Sequence, residues 1–363
     1  MAHLLSSLNL RNVTLPNRIG LSPMCTFSAT NGRVTDFHRR HYAERAEGCG
    51  VVMVEATAVE ARGVIAPSDL GLWSEDHVDG LADLAGRIAA TGAVPGIQLA
   101  HAGRKAGAYP TDDHGTLATD VIGPSPIPFD DGRPVPREMS DAEFAAVLTA
   151  FGEATDRAVR AGFKVIELHM AHGYLLSSFL SPIPNQRRDR YGGTTIAERA
   201  VFPLAVIDHV RSRLPSDTTL WARVSAIDPE PGGQTIADTI TFAVMARAAG
   251  VDLIDCSAGG QTPRGWLKAK PGYQVKYAEA VRRGANVPTA AVGVITEAAQ
   301  ADAIIRDGRA DLVLVGRALR DDPRWAARAR DALSVPLSRC SGGGLGRGSS
   351  DGDVAGVDLR PPP

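Results

Sequence analysis

Two apolar rhythms alternate along this chain. Compact runs rich in Val, Ile, Leu and Ala fall at residues 19–23, 51–59, 94–100, 165–170, 219–225, 253–256, 288–292 and 312–315. Their length and β-branched content predict strands. Longer stretches of suitable helical length separate them, at 37–47, 76–91, 141–161, 196–214, 236–249, 274–283 and 297–307. Several close on glycine, as at Ala161-Gly162 and Ala249-Gly250, where a left-handed cap suits that residue. Ser140 and Thr296 stand where a side-chain oxygen can cap a helix start. Eight strand-then-helix units predict parallel strands and, by their number, a single (β/α)8 TIM barrel in the α/β class. A doubly wound sheet is the structural alternative, weakened because no GxGxxG follows any strand. The barrel is expected over residues 1–335. Residues 336–363, rich in Gly, Ser and Pro, are expected to form a disordered tail.

Two loops are longer than a bare barrel needs: 106–137 after the third strand and 181–195 after the fourth. Both lie at C-terminal strand ends, where barrels build their sites, so they are read as lids or substrate walls. With 363 residues and 44% hydrophobic content there is material for a large core. A net charge of −2 and 5% aromatics offer no basic, base-stacking face, so neither nucleic acid nor membrane is an expected partner. Cys25, Cys49, Cys256 and Cys340 are scattered without a CxxC, which points away from zinc, iron–sulfur and disulfide frameworks. No 18-residue apolar run predicts a span, and residues 1–20 hold no apolar leader core, so the reduced cytoplasm is the expected setting.

The stretch Glu167-Leu168-His169-Met170-Ala171-His172-Gly173-Tyr174 is read as a strand running out into a loop. Alternation puts Val165, Glu167 and His169 on one face, with His169 at the strand end and His172 and Tyr174 beyond it. Two imidazoles and a phenol so placed can hold an oxyanion-like atom and deliver a proton beside it. Satisfied loop histidines or a shared metal are the other readings. Ser22-Pro23-Met24-Cys25 ends strand one, Ala56 and Ala58 end strand two, and Gln98 and residues 101–105 end strand three. Arg223 lies on strand five, where an interior cation asks for an anionic partner, either a bound group or Glu167. Gly293, Gly316 and Arg317 end strands seven and eight, a common phosphate position in such barrels, although glycines there can be simple tight turns. All these positions fall on one rim. Cys25 taken alone reads more readily as a small buried hydrophobe than as a reactive thiol.

Taken in order, these words resemble the old yellow enzyme family of flavin-dependent ene reductases, and most its thermophilic-like class. The words are Ser22-Pro23-Met24-Cys25, Val54-Glu55-Ala56-Thr57-Ala58, Gln98-Leu99-Ala100-His101-Ala102-Gly103-Arg104-Lys105, the His169–Tyr174 segment, Asp189-Arg190-Tyr191-Gly192-Gly193 and Gly316-Arg317. The resemblance implies FMN held tightly without a covalent bond. Ser22, Pro23, Met24, Cys25, Ala58 and Gln98 would contact its ring, Arg223 would stabilise the reduced anion, and Gly293, Gly316 and Arg317 would hold its phosphate. It further implies NADPH or NADH as a transient reductant and an enone or enal as the small-molecule substrate. His169 and His172 would grip the carbonyl oxygen, Tyr174 would donate the proton, and Cys25 would tune the flavin and border the substrate. A homodimer or homotetramer is implied as well. Three positions depart from the pattern. Phe27 replaces a substrate-side Tyr, Ala197-Glu198-Arg199 stands where Glu-Asn-Arg is usual, and the tail around Arg339 and Arg347 lacks the segment that inserts an arginine into a neighbour's site. The rival functions are a flavin-free barrel lyase or aldolase on a phosphorylated substrate, with Lys105 or Lys164 the nearest lysines, and a noncatalytic FMN-binding protein.

Overall fold

The computed structural model describes residues 2–107, 120–265 and 267–334. The expected tail and part of the long third loop lie outside the described residues. Eight parallel strands close on themselves. They are β1 (Ile19–Leu21), β2 (Val51–Ala58), β3 (Val94–Ala100), β4 (Val165–Met170), β5 (Thr219–Ser225), β6 (Leu253–Ser257), β7 (Thr289–Ala291) and β8 (Leu312–Val315). Each pairs with its sequence neighbours, and β1 pairs with both β2 and β8, which closes the ring. The runs are apolar end to end because helices cover the outside while the inside fills with side chains. The helices are α1 (Asp36–Ala46), α2 (Val78–Ala90), α3 (Asp141–Arg160), α4 (Val201–Arg213), α5 (Ile236–Ala248), α6 (Val275–Ala285), α7 (Ala298–Arg306) and α8 (Trp325–Ser334). The Ser140 hydroxyl caps α3 by accepting from the Glu143 amide at 3.4 Å, and Gly162 and Gly250 adopt left-handed φ of +94 and +105. Thr296 is not a cap: Glu297 precedes α7, and its side chain makes no capping bond at that start. No helix among the described residues is long and apolar enough to cross a membrane.

The barrel interior is layered. Its lower part is hydrocarbon: Val51, Met53, Val165, Trp221, Leu253, Leu312 and Leu314 pack together. Gly20 belongs to this layer because a Cβ there would lie 2.5 Å from Leu314 and 2.8 Å from Val51. A hairpin of Leu8–Leu10 and Val13–Leu15 plugs the bottom, burying Leu8, Leu10, Val13 and Leu15 against that layer. Sequence patterning does not predict this hairpin, since strands of three residues show too little periodicity.

Three expected elements are corrected. The stretch 196–214 is not one helix: a short turn, Ile196–Arg199, precedes α4. Pro203 has no amide to donate to the Arg199 carbonyl, so the ladder breaks there. The strands expected at 19–23 and 288–292 shorten to three residues each, Ile19–Leu21 and Thr289–Ala291. Residues 22–25 turn out of β1 into the rim instead, and that turn supplies part of the site. The hairpin plug gives a test of the layered core. Leu15→Ala, at a fully buried position, is expected to cost roughly 2–5 kcal/mol, read as a lower denaturant midpoint.

Candidate active site

At the C-terminal rim the interior changes from hydrocarbon to polar. Alternation carries Gln98, Glu167, Arg223 and Asp255 inward from β3, β4, β5 and β6, and all four are buried. Gln98 Nε2 donates to Glu167 Oε1 at 2.8 Å. Arg223 Nη1 donates to Asp255 Oδ2 at 2.8 Å and to Ser22 Oγ at 3.1 Å. The ion pair is therefore with Asp255, not with Glu167 as one sequence reading had it. Burial, reinforced by Asp255, raises the Glu167 carboxyl above its ordinary range, with Arg223 opposing. Arg223 Nε, Glu167 Oε2 and Asp255 Oδ1 are buried without a partner. Asp255 was missed in the sequence, although a lone acid in the run Leu253-Ile254-Asp255-Cys256 was the signal.

Above this layer a cavity of about 740 Å³ opens. Its walls bring together Ser22, Pro23, Met24 and Cys25 from β1, and Gln98 from β3. His169, His172, Tyr174 and Arg223 join from β4 and β5, with Gly293, Gly316 and Arg317 from β7 and β8. Ala58 is not in the lining; Ala56 is. A β-bulge between Val54 and Ala56 shifts the alternation by one, so that Ala56 rather than Glu55 continues the inward face of Val51 and Met53. Ala58 instead ends the strand, buried where the Leu72 amide donates to its carbonyl. Phe27 is also outside the lining and packs with Cys25, Ala56 and Tyr174 in a small apolar cluster.

The bulged residue, Glu55, turns outward and ties the rim to α1. It accepts from the Thr26 amide, from Thr26 Oγ1 at 2.8 Å, and pairs with His38 Nε2 at 3.0 Å. This holds the Cys25-Thr26 turn in place. Cys25 is half-buried. Burial and the nearby Asp69 and Glu55 carboxylates push its thiol well above the ordinary range, so it stays protonated.

His169, His172 and Tyr174 form one constellation. The His169 ring centroid lies 5.3 Å from that of His172 and 4.7 Å from that of Tyr174, both edge to face. The Ala171 amide donates to His169 Nδ1 at 3.2 Å, which places the imidazole proton on Nε2. His172 Nε2 lies 2.7 Å from Ser257 Oγ, which also accepts from Gln274 Nε2 at 3.2 Å. His172 holds a left-handed backbone at φ +62. Gly173 follows at φ +76, and a Cβ there would meet the Gly260 carbonyl oxygen at 2.4 Å. Burial, with Arg223 and Lys105 nearby, lowers both imidazoles well below their ordinary range, so they work as neutral donors.

The cavity end at β7 and β8 is built for an anion. The amides of Gly293, Val294, Gly316 and Arg317 donate to no acceptor among the described residues. Val294 adopts φ +52, costly for a β-branched residue. The Gly293 and Val294 carbonyls both accept from the Gly272 amide, at 2.9 and 3.3 Å, which holds the turn.

Residues 3–335 match the NADH:flavin oxidoreductase / NADH oxidase family. The chain belongs to this flavin oxidoreductase family. It is 44% identical over 338 residues to the NADPH dehydrogenase of Geobacillus sp. (strain WCH70), covering 92% of this chain and 96% of that one. The NADPH dehydrogenase of Bacillus subtilis (strain 168) is 43% identical over 337 residues, at 92% and 96% coverage. Morphinone reductase shares the fold, with TM-score 0.77 and 24% identity over 91% of this chain and 90% of that chain. The family resemblance to old yellow enzymes therefore holds, and the oxidoreductase takes FMN with NAD(P)H as reductant. The residues present fit FMN. Four unengaged amides and Arg317 suit its phosphate, the unpartnered Arg223 Nε suits an electron-rich ring edge, and Pro23 and Met24 supply an apolar wall.

The neutral-imidazole assignment is testable by NMR of labelled histidine. The His169 and His172 rings are expected to stay neutral from about pH 8 to about pH 5, where a solvated imidazole titrates near 6.5. The unfolded chain takes up protons there that these two do not, so their effect is to remove stability as pH falls below about 6.5.

Proposed function

We propose that this flavin oxidoreductase reduces the C=C bond of α,β-unsaturated carbonyl compounds, enones and enals. The observation that carries this reading is the convergence of two neutral imidazoles and a phenol in one cavity that the Ser22–Cys25 turn also lines. His169 Nε2–H and the His172 ring bind a carbonyl oxygen and draw electron density from the conjugated β-carbon. Neutral donors suit this task, because an imidazolium buried among Arg223 and Lys105 would be repelled. Tyr174 holds the proton destined for the α-carbon. Bound FMN supplies the hydride for the β-carbon, drawn from NADPH or NADH. The relatives named NADPH dehydrogenase favour NADPH. Cys25 borders the substrate as a protonated thiol. Phe27 stands behind this part of the cavity wall and packs hydrocarbon against Cys25, Ala56 and Tyr174. Family resemblance supports a homodimer or homotetramer working in the cytoplasm.

Anaerobic stopped-flow separates the two halves of the reaction. NADPH is expected to bleach the flavin, and 2-cyclohexen-1-one to restore its colour. Tyr174→Phe should slow the second step by about 10²- to 10⁴-fold and leave the first within a few-fold. His169→Ala should weaken enone binding. Unchanged enone turnover in both variants would overturn this assignment.

A further inference from the structure

Lys105 is fully buried, which is rare for a lysine. It leaves the short turn Gly103–Lys105 that follows β3 and points into the cavity described above. Its Nζ donates to the His172 carbonyl at 3.0 Å. The same ammonium stands 4.8 Å from the centroid of the Tyr174 ring and 4.3 Å from that of Phe129. A cation over an aromatic face is attracted by the ring's negative quadrupole, more strongly when water is absent. The attraction grows sharply if the ring gains a full negative charge. Tyr174 does so when it gives up its proton.

We propose that Lys105 is a positioning residue for Tyr174: its ammonium, seated over the phenol ring, favours the phenolate left by proton transfer. The inference rests on Tyr174 being the proton donor. In that step the Tyr174 O–H bond breaks, its electron pair stays on the oxygen, and the proton forms the new C–H bond at the α-carbon. Solvent then returns a proton to the phenolate. The hydride at the β-carbon comes from NAD(P)H through the flavin, so atoms and electrons balance without a further reagent. The hydrogen bond to the His172 carbonyl fixes where the ammonium sits, and the Phe129 ring closes its other side.

The groups that share this end of the cavity are Asp130, Arg133, His169, His172 and Tyr174, with Arg104 next in sequence and Cys25 across Tyr174. Burial first, then repulsion from Arg104 and Arg133, lowers the Lys105 ammonium to about 7. The sign follows. Below about 7 the cation is present; as pH rises through that value it is lost, and its help to Tyr174 goes with it.

Three variants separate charge from structure. Lys105→Gln keeps a donor for the His172 carbonyl but has no charge. Lys105→Arg keeps the charge at every pH. Lys105→Met keeps neither. Flavin reduction by NADPH and reoxidation by 2-cyclohexen-1-one are measured separately between about pH 5.5 and 9, after flavin content confirms folding. For Lys105→Gln at pH 6, reoxidation is expected to slow by about 10- to 30-fold, with reduction within twofold. The wild-type loss of reoxidation rate above pH 7 should vanish in both Lys105→Gln and Lys105→Arg, the first uniformly slow and the second uniformly fast. Lys105→Gln in a Tyr174→Phe background should add no further loss. Equal slowing of both half-reactions, or a Lys105→Gln profile matching wild type, overturns the proposal. If Tyr174→Phe alone reoxidises normally, the proton-donor assignment has failed instead, and that result is read independently of Lys105.

Discussion

A buried guanidinium sets the terms for the upper half of this barrel. Arg223 stands inside a closed sheet, on top of a floor of Trp221, Met53 and Leu253 that offers it nothing. Removing such a charge from water costs several kcal/mol unless partners replace the lost hydration. Asp255 and Ser22 serve one of its nitrogens, and its Nε is left without a partner. The charge is thus only partly answered by the protein. Burial raises both nearby carboxyls, Glu167 to about 8 and Asp255 to about 6, so near neutral pH it is Asp255 that answers the arginine. A layer balanced in this way neither expels an anionic ring edge nor holds it through excess charge. Its remaining donor gives direction rather than bulk attraction.

The same interior charge constrains the neighbouring imidazoles. His169 lies beside Arg223 in the paired strands, and both histidines feel Arg223 and Lys105. Protonating either would place a third cation in a water-poor space. Both rings are therefore held neutral, and the proposed roles, donation by the histidines and proton delivery by Tyr174, are compatible with that electrostatic setting.

Much of this was legible in the chain. Parallel strands covered on both faces read as unbroken apolar runs, so the eight strands stood out and their C-terminal ends placed most of the site on one rim. What escaped depended on contacts between distant segments. The bulge at Glu55 is hidden inside the run Val51–Ala58, because an extra residue changes facing without changing composition. It decided that Ala56, not Glu55, faces the cavity. Asp255 was hidden because its partner Arg223 is 32 residues away, and a single acid in a strand could equally cap or bend it. Lys105 was visible as a residue but not as a buried one, since its cover, Phe129, sits on a loop with no periodic signal. Pro203, whose missing amide breaks the ladder before α4, was written in the sequence, but proline in a first helical turn is as compatible with a helix that starts there.

The cavity end around Tyr174 shows how apolar packing and charge work together. Phe27, Ala56, Ala100, Ala102 and Val121 surround the phenol with hydrocarbon. Phe27 does so from a left-handed backbone, φ +51, which is costly for a bulky side chain and so must be held by its surroundings. Thr26, its neighbour, is the residue locked to Glu55 and through it to His38. The bulge, the Cys25-Thr26 turn and the wall beside Tyr174 are therefore one connected piece. Hydrocarbon there lowers the local dielectric, which strengthens every charge that remains. A cation 4.8 Å from the phenol ring consequently matters more here than the same pair at a surface. The loss of a hydroxyl at position 27 makes that wall drier still.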